Sequence, residues 1–166
     1  MLPDGLAPED FEPAAPEYRG AIALADLPRL APMLAGASGE ARVRLRGARD
    51  DAGRRLLEGA VEAVVPLRCQ RCLEVVEYPV GEAFSVVIVA SEAEGEALPE
   101  ALEPFVSADA VRPAAVVEEE ILLALPVVVR HDAGVCEPPE HGAGASRAEL
   151  SPFADLRGRV RQADDD

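Results

Sequence analysis

Lysine is absent from this chain; every basic residue is arginine. With so much Ala, Gly and Pro, that choice fits a GC-rich coding bias, and no function is read from it. Tryptophan is also absent and aromatics make up 4% of residues, so the core has to be built from Val, Leu, Ile and Ala. No stretch approaches the ~20 apolar residues of a membrane span. The N-terminal "MLPDGLAPEDFEPAAPEYRG" is acidic and proline-rich, without the basic start and apolar block of a secretory signal. Cysteines number three, too few and too odd for a disulfide scaffold, which points to reduced thiols and a cytoplasmic protein. No nucleophile elbow, phosphate loop or Ser/His/Asp arrangement is present.

What is present is acid. The formal charge is −15 over 166 residues, a length that suits one domain with its own core. Such a surface repels nucleic acid and anionic membranes and suits basic proteins. Residues 41–72 are the exception, with eight arginines, among them Arg42, Arg44, Arg68 and Arg71, against four acidic residues. That island reads either as a strand pair with solvated arginines or as an anion-binding face.

The pattern along the chain is strand-rich. Residues 1–17 lack periodicity and read as a flexible arm. From Tyr18 a short strand runs through Ile22 and Leu24. A helix is then expected from Asp26, with Leu27, Leu30 and Leu34 on one face and Gly36 as its stop. "GEARVRLRGARD" alternates, Val43 and Leu45 against Arg42, Arg44 and Arg46, as a half-buried strand does. "DDAG" is a turn, and "RRLLEGAVEAVVPL" completes a hairpin. A strand leaves Cys72 through Val75 and Val76, and "EAFSVVIVA" reads as a further one. After an acidic loop, "RPAAVVEEEILLALP" is the clearest helix, with Pro113 at its first position, Val117, Ile121 and Leu125 on one side, and Pro126 at its end. The expected fold is α+β: a mainly antiparallel sheet or partial barrel carrying one or two short helices, with flexible termini. The domain covers residues 18–136. Residues 137–166 are a Gly/Pro-rich tail with a small apolar anchor near Phe153.

Two side-chain groups invite chemistry. Cys69 and Cys72 form a CxxC between two β-branched runs, a spacing that lets two thiolates face one zinc ion. His131 and Cys136 are the candidates to complete it, with His141 in reserve. Zinc bends usually put a small residue after the second cysteine, and here Leu73 follows. Redox chemistry suits the motif less, because no helix starts there; two structural thiols are the plain alternative. Glu118, Glu119 and Glu120 step by about 100° each around a helix and cannot share a face. Glu118 and Glu119 are expected on the solvated flanks, open to a partner.

The order "LRCQRCLEVVEYPV", "EALPEALEPF", "VVEEEILLALPVVVRHD", "GVCEP" and "SPFADLRGRV" resembles the bacterial YceD family, the large ribosomal RNA subunit accumulation proteins, from about Tyr18 to about Arg159. The family motif falls on Cys69, Arg71, Cys72 and Leu73, then on Glu118–Glu120, Leu122, Leu123, Leu125 and Pro126, then on His131 and Cys136. This chain lacks a second proline before the histidine and reads Val127, Val128, Val129 instead. The resemblance implies a cytoplasmic, non-enzymatic factor in ribosome biogenesis that supports accumulation of large-subunit (23S) ribosomal RNA. Its partner would be a basic ribosomal protein or the RNA itself, met through Arg42, Arg44, Arg68 and Arg71 or through Glu118 and Glu119. No cofactor is required by this reading, and zinc is the one candidate. A zinc-dependent enzyme acting on RNA, and a structural domain acting indirectly, are the alternatives.

Overall fold

The computed structural model describes residues 1–137, so the tail expected over 137–166, with its anchor near Phe153, lies almost wholly outside the described residues. Five strands form one open sheet in the order β1-β2-β3-β4-β5: β1 Tyr18–Ala23, β2 Glu40–Arg49, β3 Arg55–Arg68, β4 Val75–Val89 and β5 Glu103–Val106. The first four run antiparallel and β5 lies parallel to β4. Helices α1 (Glu92–Glu96) and α2 (Pro113–Ala124) complete the described elements, with three single turns of 3-10 helix. The fold is α+β, as the alternating pattern implied.

The hairpin between β2 and β3 shows why the sequence folds this way. Asp50 Oδ1 accepts the amides of Ala52 (3.0 Å) and Arg54 (2.9 Å), and Gly53 takes a φ of 77° that other residues avoid. The turn sets the register, with Val43 opposite Val61 and Leu45 opposite Gly59 on the buried face. Gly59 leaves room that a methyl group would take from the Phe84 ring. Arg42, Arg44 and Arg46 stand on the open face.

Several expectations need correcting. The arm at residues 1–17 is part of the domain: Leu6 and Phe11 are fully buried, and Leu6 bridges to Val111. Its 3-10 turn, Pro8–Phe11, lies against Gly47, where a β-carbon would meet the Asp10 carbonyl. The helix expected from Asp26 does not form. Two 3-10 turns, Leu24–Asp26 and Ala31–Met33, replace it, because Pro32 would remove an amide from the helix interior; Leu24, Leu27 and Leu30 are buried all the same. The two strands expected after the CxxC are one long strand, β4. Pro79 is tolerated there because β5 pairs only with Val86–Val89, leaving β4 an edge at Pro79. The pattern gives no sign of β5, which is four residues inside an acidic run.

Helix α2 begins at Pro113, as its sequence implies, and packs on β3 and β4. Its buried side matches expectation at Val117 and Ile121 and departs from it at Leu125. Val116, Val117 and Ile121 are buried, while Leu125 is only half-buried and Leu123 is 62% exposed. Glu118 is buried too. None of the described helices is long and apolar enough to cross a membrane.

Candidate metal centre

The β3–β4 connection is a six-residue bend that carries both cysteines of the CxxC. Cys69 donates its amide to the Glu74 carbonyl (2.8 Å), and the Leu73 amide returns to the Cys69 carbonyl (2.9 Å). Leu73 takes a φ of 68°, the left-handed conformation that glycine adopts at low cost. The lack of a small residue there does not change the shape of the bend; Leu73, half-exposed, adopts it under strain.

A distant segment closes over this bend. The Gln70 amide donates to the Val129 carbonyl (2.9 Å), and Val129 is buried. That anchor delivers His131 and Cys136. The donor atoms of Cys69, Cys72, His131 and Cys136 all lie within 4.8 Å of one another. The Cys69 and Cys136 sulfurs are 3.9 Å apart, and His131 Nδ1 is 3.4 Å from the Cys72 sulfur. With Zn–S near 2.3 Å and Zn–N near 2.0 Å, a tetrahedral ion would need separations of about 3.8 Å and about 3.5 Å. All three thiols are free.

The surroundings suit a thiolate at Cys69 and a fixed imidazole at His131. Burial alone pushes the Cys69 thiol up, but backbone amides of Cys72, His131 and Arg71 aimed at its sulfur outweigh that and bring its pKa down to about 5. Burial raises the Cys72 thiol. Hydrogen bonding to Cys69 and Cys136 raises the His131 pKa. His131 Nε2 lies 3.1 Å from the Val75 carbonyl; donating its proton there leaves Nδ1 as the ligand atom.

Arg71 belongs to this centre and does not project from the tip of the sheet. Its Nε donates to the Cys136 sulfur (3.1 Å), and its terminal nitrogen donates to the His131 and Asp132 carbonyls (3.2 and 3.0 Å). Arg68 donates to the Leu73 carbonyl (2.7 Å) and is exposed. Of the two bend arginines expected to meet a partner, Arg68 is exposed and Arg71 is engaged within the cluster. Glu118, expected on a solvated flank, is 4% exposed; its carboxylate accepts the amides of Arg29 (2.6 Å) and Leu30 (3.1 Å) and ties α2 to the leucine turns. Glu119 pairs with the Arg29 guanidinium. Glu120, which the sequence pattern gives no role, is buried with Glu82 and Glu103 nearby; burial first, then repulsion from Glu103, Glu119 and Glu82, raises its pKa to about 7. No sequence pattern marks that group, since its members come from three elements.

Together the fold and site define a class: a small α+β sheet protein whose longest hairpin ends in a closed cysteine–histidine cluster. The chain belongs to the family described as large ribosomal RNA subunit accumulation protein YceD, whose model matches residues 57–158. A Haemophilus influenzae protein of that name is 32% identical over 148 residues, covering 84% of this chain and 85% of the relative. No solved structure matches the chain.

Proposed function

We propose that this protein supports accumulation of large-subunit ribosomal RNA by binding, with a structural zinc ion organising its hairpin tip. Family membership supports the biological role. The observation that carries the physical reading is the four-donor cluster of Cys69, Cys72, His131 and Cys136. Four protein donors fill a tetrahedral shell and leave no position for substrate water, which is the design of structural zinc sites. Three thiolates and a neutral imidazole around one Zn²⁺ carry a net charge of −1, and Arg71 offsets it from hydrogen-bonding distance. Bound zinc would pin residues 127–136 to the β3–β4 bend. The cytoplasm, where thiols stay reduced, suits such a site. The partner is a large-subunit component, ribosomal RNA or a basic ribosomal protein.

Elemental analysis of the purified chain tests the zinc: about one ion per chain is expected, and chelator should lower the melting temperature until zinc is restored. A metal-free protein with three freely titratable thiols would leave a purely structural thiol cluster. Capture from lysate, with and without nuclease, tests the role; failure to retain any large-subunit component would overturn it.

A further inference from the structure

We infer that the open face of the sheet is a binding surface for the phosphate backbone of double-helical RNA, centred on Arg19, Arg42 and Arg44. This deepens, and rests on, the reading of the chain as a ribosomal RNA accumulation factor.

The register puts Arg19 of β1 directly opposite Arg44 of β2, with Arg42 two residues along the same strand. Residues i and i+2 of a strand stand about 7 Å apart on one face. Like charges placed directly across a sheet destabilise it, so the Arg19–Arg44 pair has no local structural benefit, whereas Arg42 stands opposite Glu62 of β3. Most neighbouring arginines are already engaged. Arg49 pairs with Glu12, Arg54 pairs with Asp50, Arg55 lies over the Phe11 ring, and Arg71 is held in the metal centre. Those lining a cavity of about 660 Å³ beside Pro8 and Leu98, Arg49, Arg54 and Arg55, are thus all spent. Arg42 and Arg44 are exposed, and among the described residues neither forms an ion pair or a side-chain hydrogen bond. Among the described residues Arg19 is held only by Glu17, an exposed pair of little worth.

The floor between them is small and flat. Ala21, Ala60, Gly81 and Ala83 occupy the same rows of the open face, with Glu62 between Arg42 and Gly81. Arg19, Arg42 and Arg44 rim a shallow depression of about 260 Å³ over Ala60, with Glu62 at its edge. Small residues let a broad surface come close, and guanidinium groups suit phosphate oxygens. Among the described residues no aromatic side chain stands on this face. Phe11, Tyr18, Tyr78, Phe84 and Phe105 all pack with the core. Without stacking platforms a single strand has nothing to lay its bases on, whereas a duplex offers its phosphates without unstacking. The rest of an acidic molecule repels RNA, which confines binding to this face.

The test is fluorescence anisotropy of the full chain with a labelled RNA hairpin and an unstructured single strand, across a salt series. The hairpin should bind more tightly than the single strand. Arg42→Ala/Arg44→Ala should weaken hairpin binding about tenfold at low salt and reduce the log–log salt slope by about 2, one for each phosphate that is no longer neutralised. Arg42→Lys/Arg44→Lys should keep most of that slope, and both variants should match the parent in melting temperature and metal content. No hairpin binding by the parent, a preference for the single strand, or an unchanged slope in the alanine variant would each overturn the inference. Nuclease-resistant capture of large-subunit proteins without hairpin binding would overturn it while leaving the accumulation role standing. Hairpin binding without any lysate capture would do the reverse.

Discussion

Leu73 shows how a single backbone angle carries information that residue identity hides. Its φ of 68° is a glycine conformation held by a bulky side chain that is half in solvent. Leu73→Gly should therefore be neutral or stabilising by up to about 1 kcal/mol despite the flexibility of glycine, and a β-branched residue there should destabilise. Thermal melts of Leu73→Gly and Leu73→Val decide this. Glu120 makes a second prediction. Its pKa is raised to about 7 in the folded protein, well above the ordinary carboxylate value. Between those values the folded state holds a proton that the unfolded state has released, so stability falls as pH rises through that window. Glu120→Gln should flatten this dependence and gain most above pH 7, read from denaturation midpoints at several pH values. Neither effect is legible in the sequence. "EEE" places three acids in a row, but only tertiary packing decides that Glu118 accepts the Arg29 and Leu30 amides, Glu119 pairs with Arg29 and Glu120 is crowded by Glu82 and Glu103.

Among the elements, α2 is the easiest to read, because Pro113, Pro126 and a 12-residue apolar pattern bound it. Its orientation is harder. Two adjacent apolar runs, Val116–Val117 and Ile121–Leu123, leave the stripe ambiguous by about one residue, or about 100°. The structure resolves it: Ile121 is fully buried and Leu123 is not. Ile121→Ala should cost about 2–5 kcal/mol, whereas Leu123→Ala should stay within about 0.5 kcal/mol. Equal costs in urea titrations would mean that the helix is rotated. The long strands are legible from alternation, but the continuity of β4 is not, since Pro79 and Gly81 resemble a break unless the edge they occupy is known.

For the molecule as a whole, both ends of the described chain are tied to the sheet by a few residues. Phe11 and Leu6 enter the core from a segment that composition marks as disordered. Deleting residues 1–11 should therefore lower the melting temperature substantially or prevent folding. A truncated chain with an unchanged melt would make that segment a mere attachment. At the other end, His131 and Cys136 join a hairpin some 60 residues earlier through donor geometry and the Val129 carbonyl. Register likewise gathers Arg19, Arg42 and Arg44 on one open face, with Glu58 and Glu62 beside them.

The sequence by itself determined the alternating strands, the tight Asp50–Gly53 turn, the bounded helix α2 and the CxxC spacing of Cys69 and Cys72, because these depend on neighbours within a few positions. Only the tertiary structure decided which thiols and imidazole meet, that Arg71 faces inward while Arg42 and Arg44 stay unspent, and that the N-terminal segment is core. These are outcomes of register and packing between residues far apart in the chain. A local pattern can state what each residue is able to do, but the partner that uses or silences it is supplied by another element.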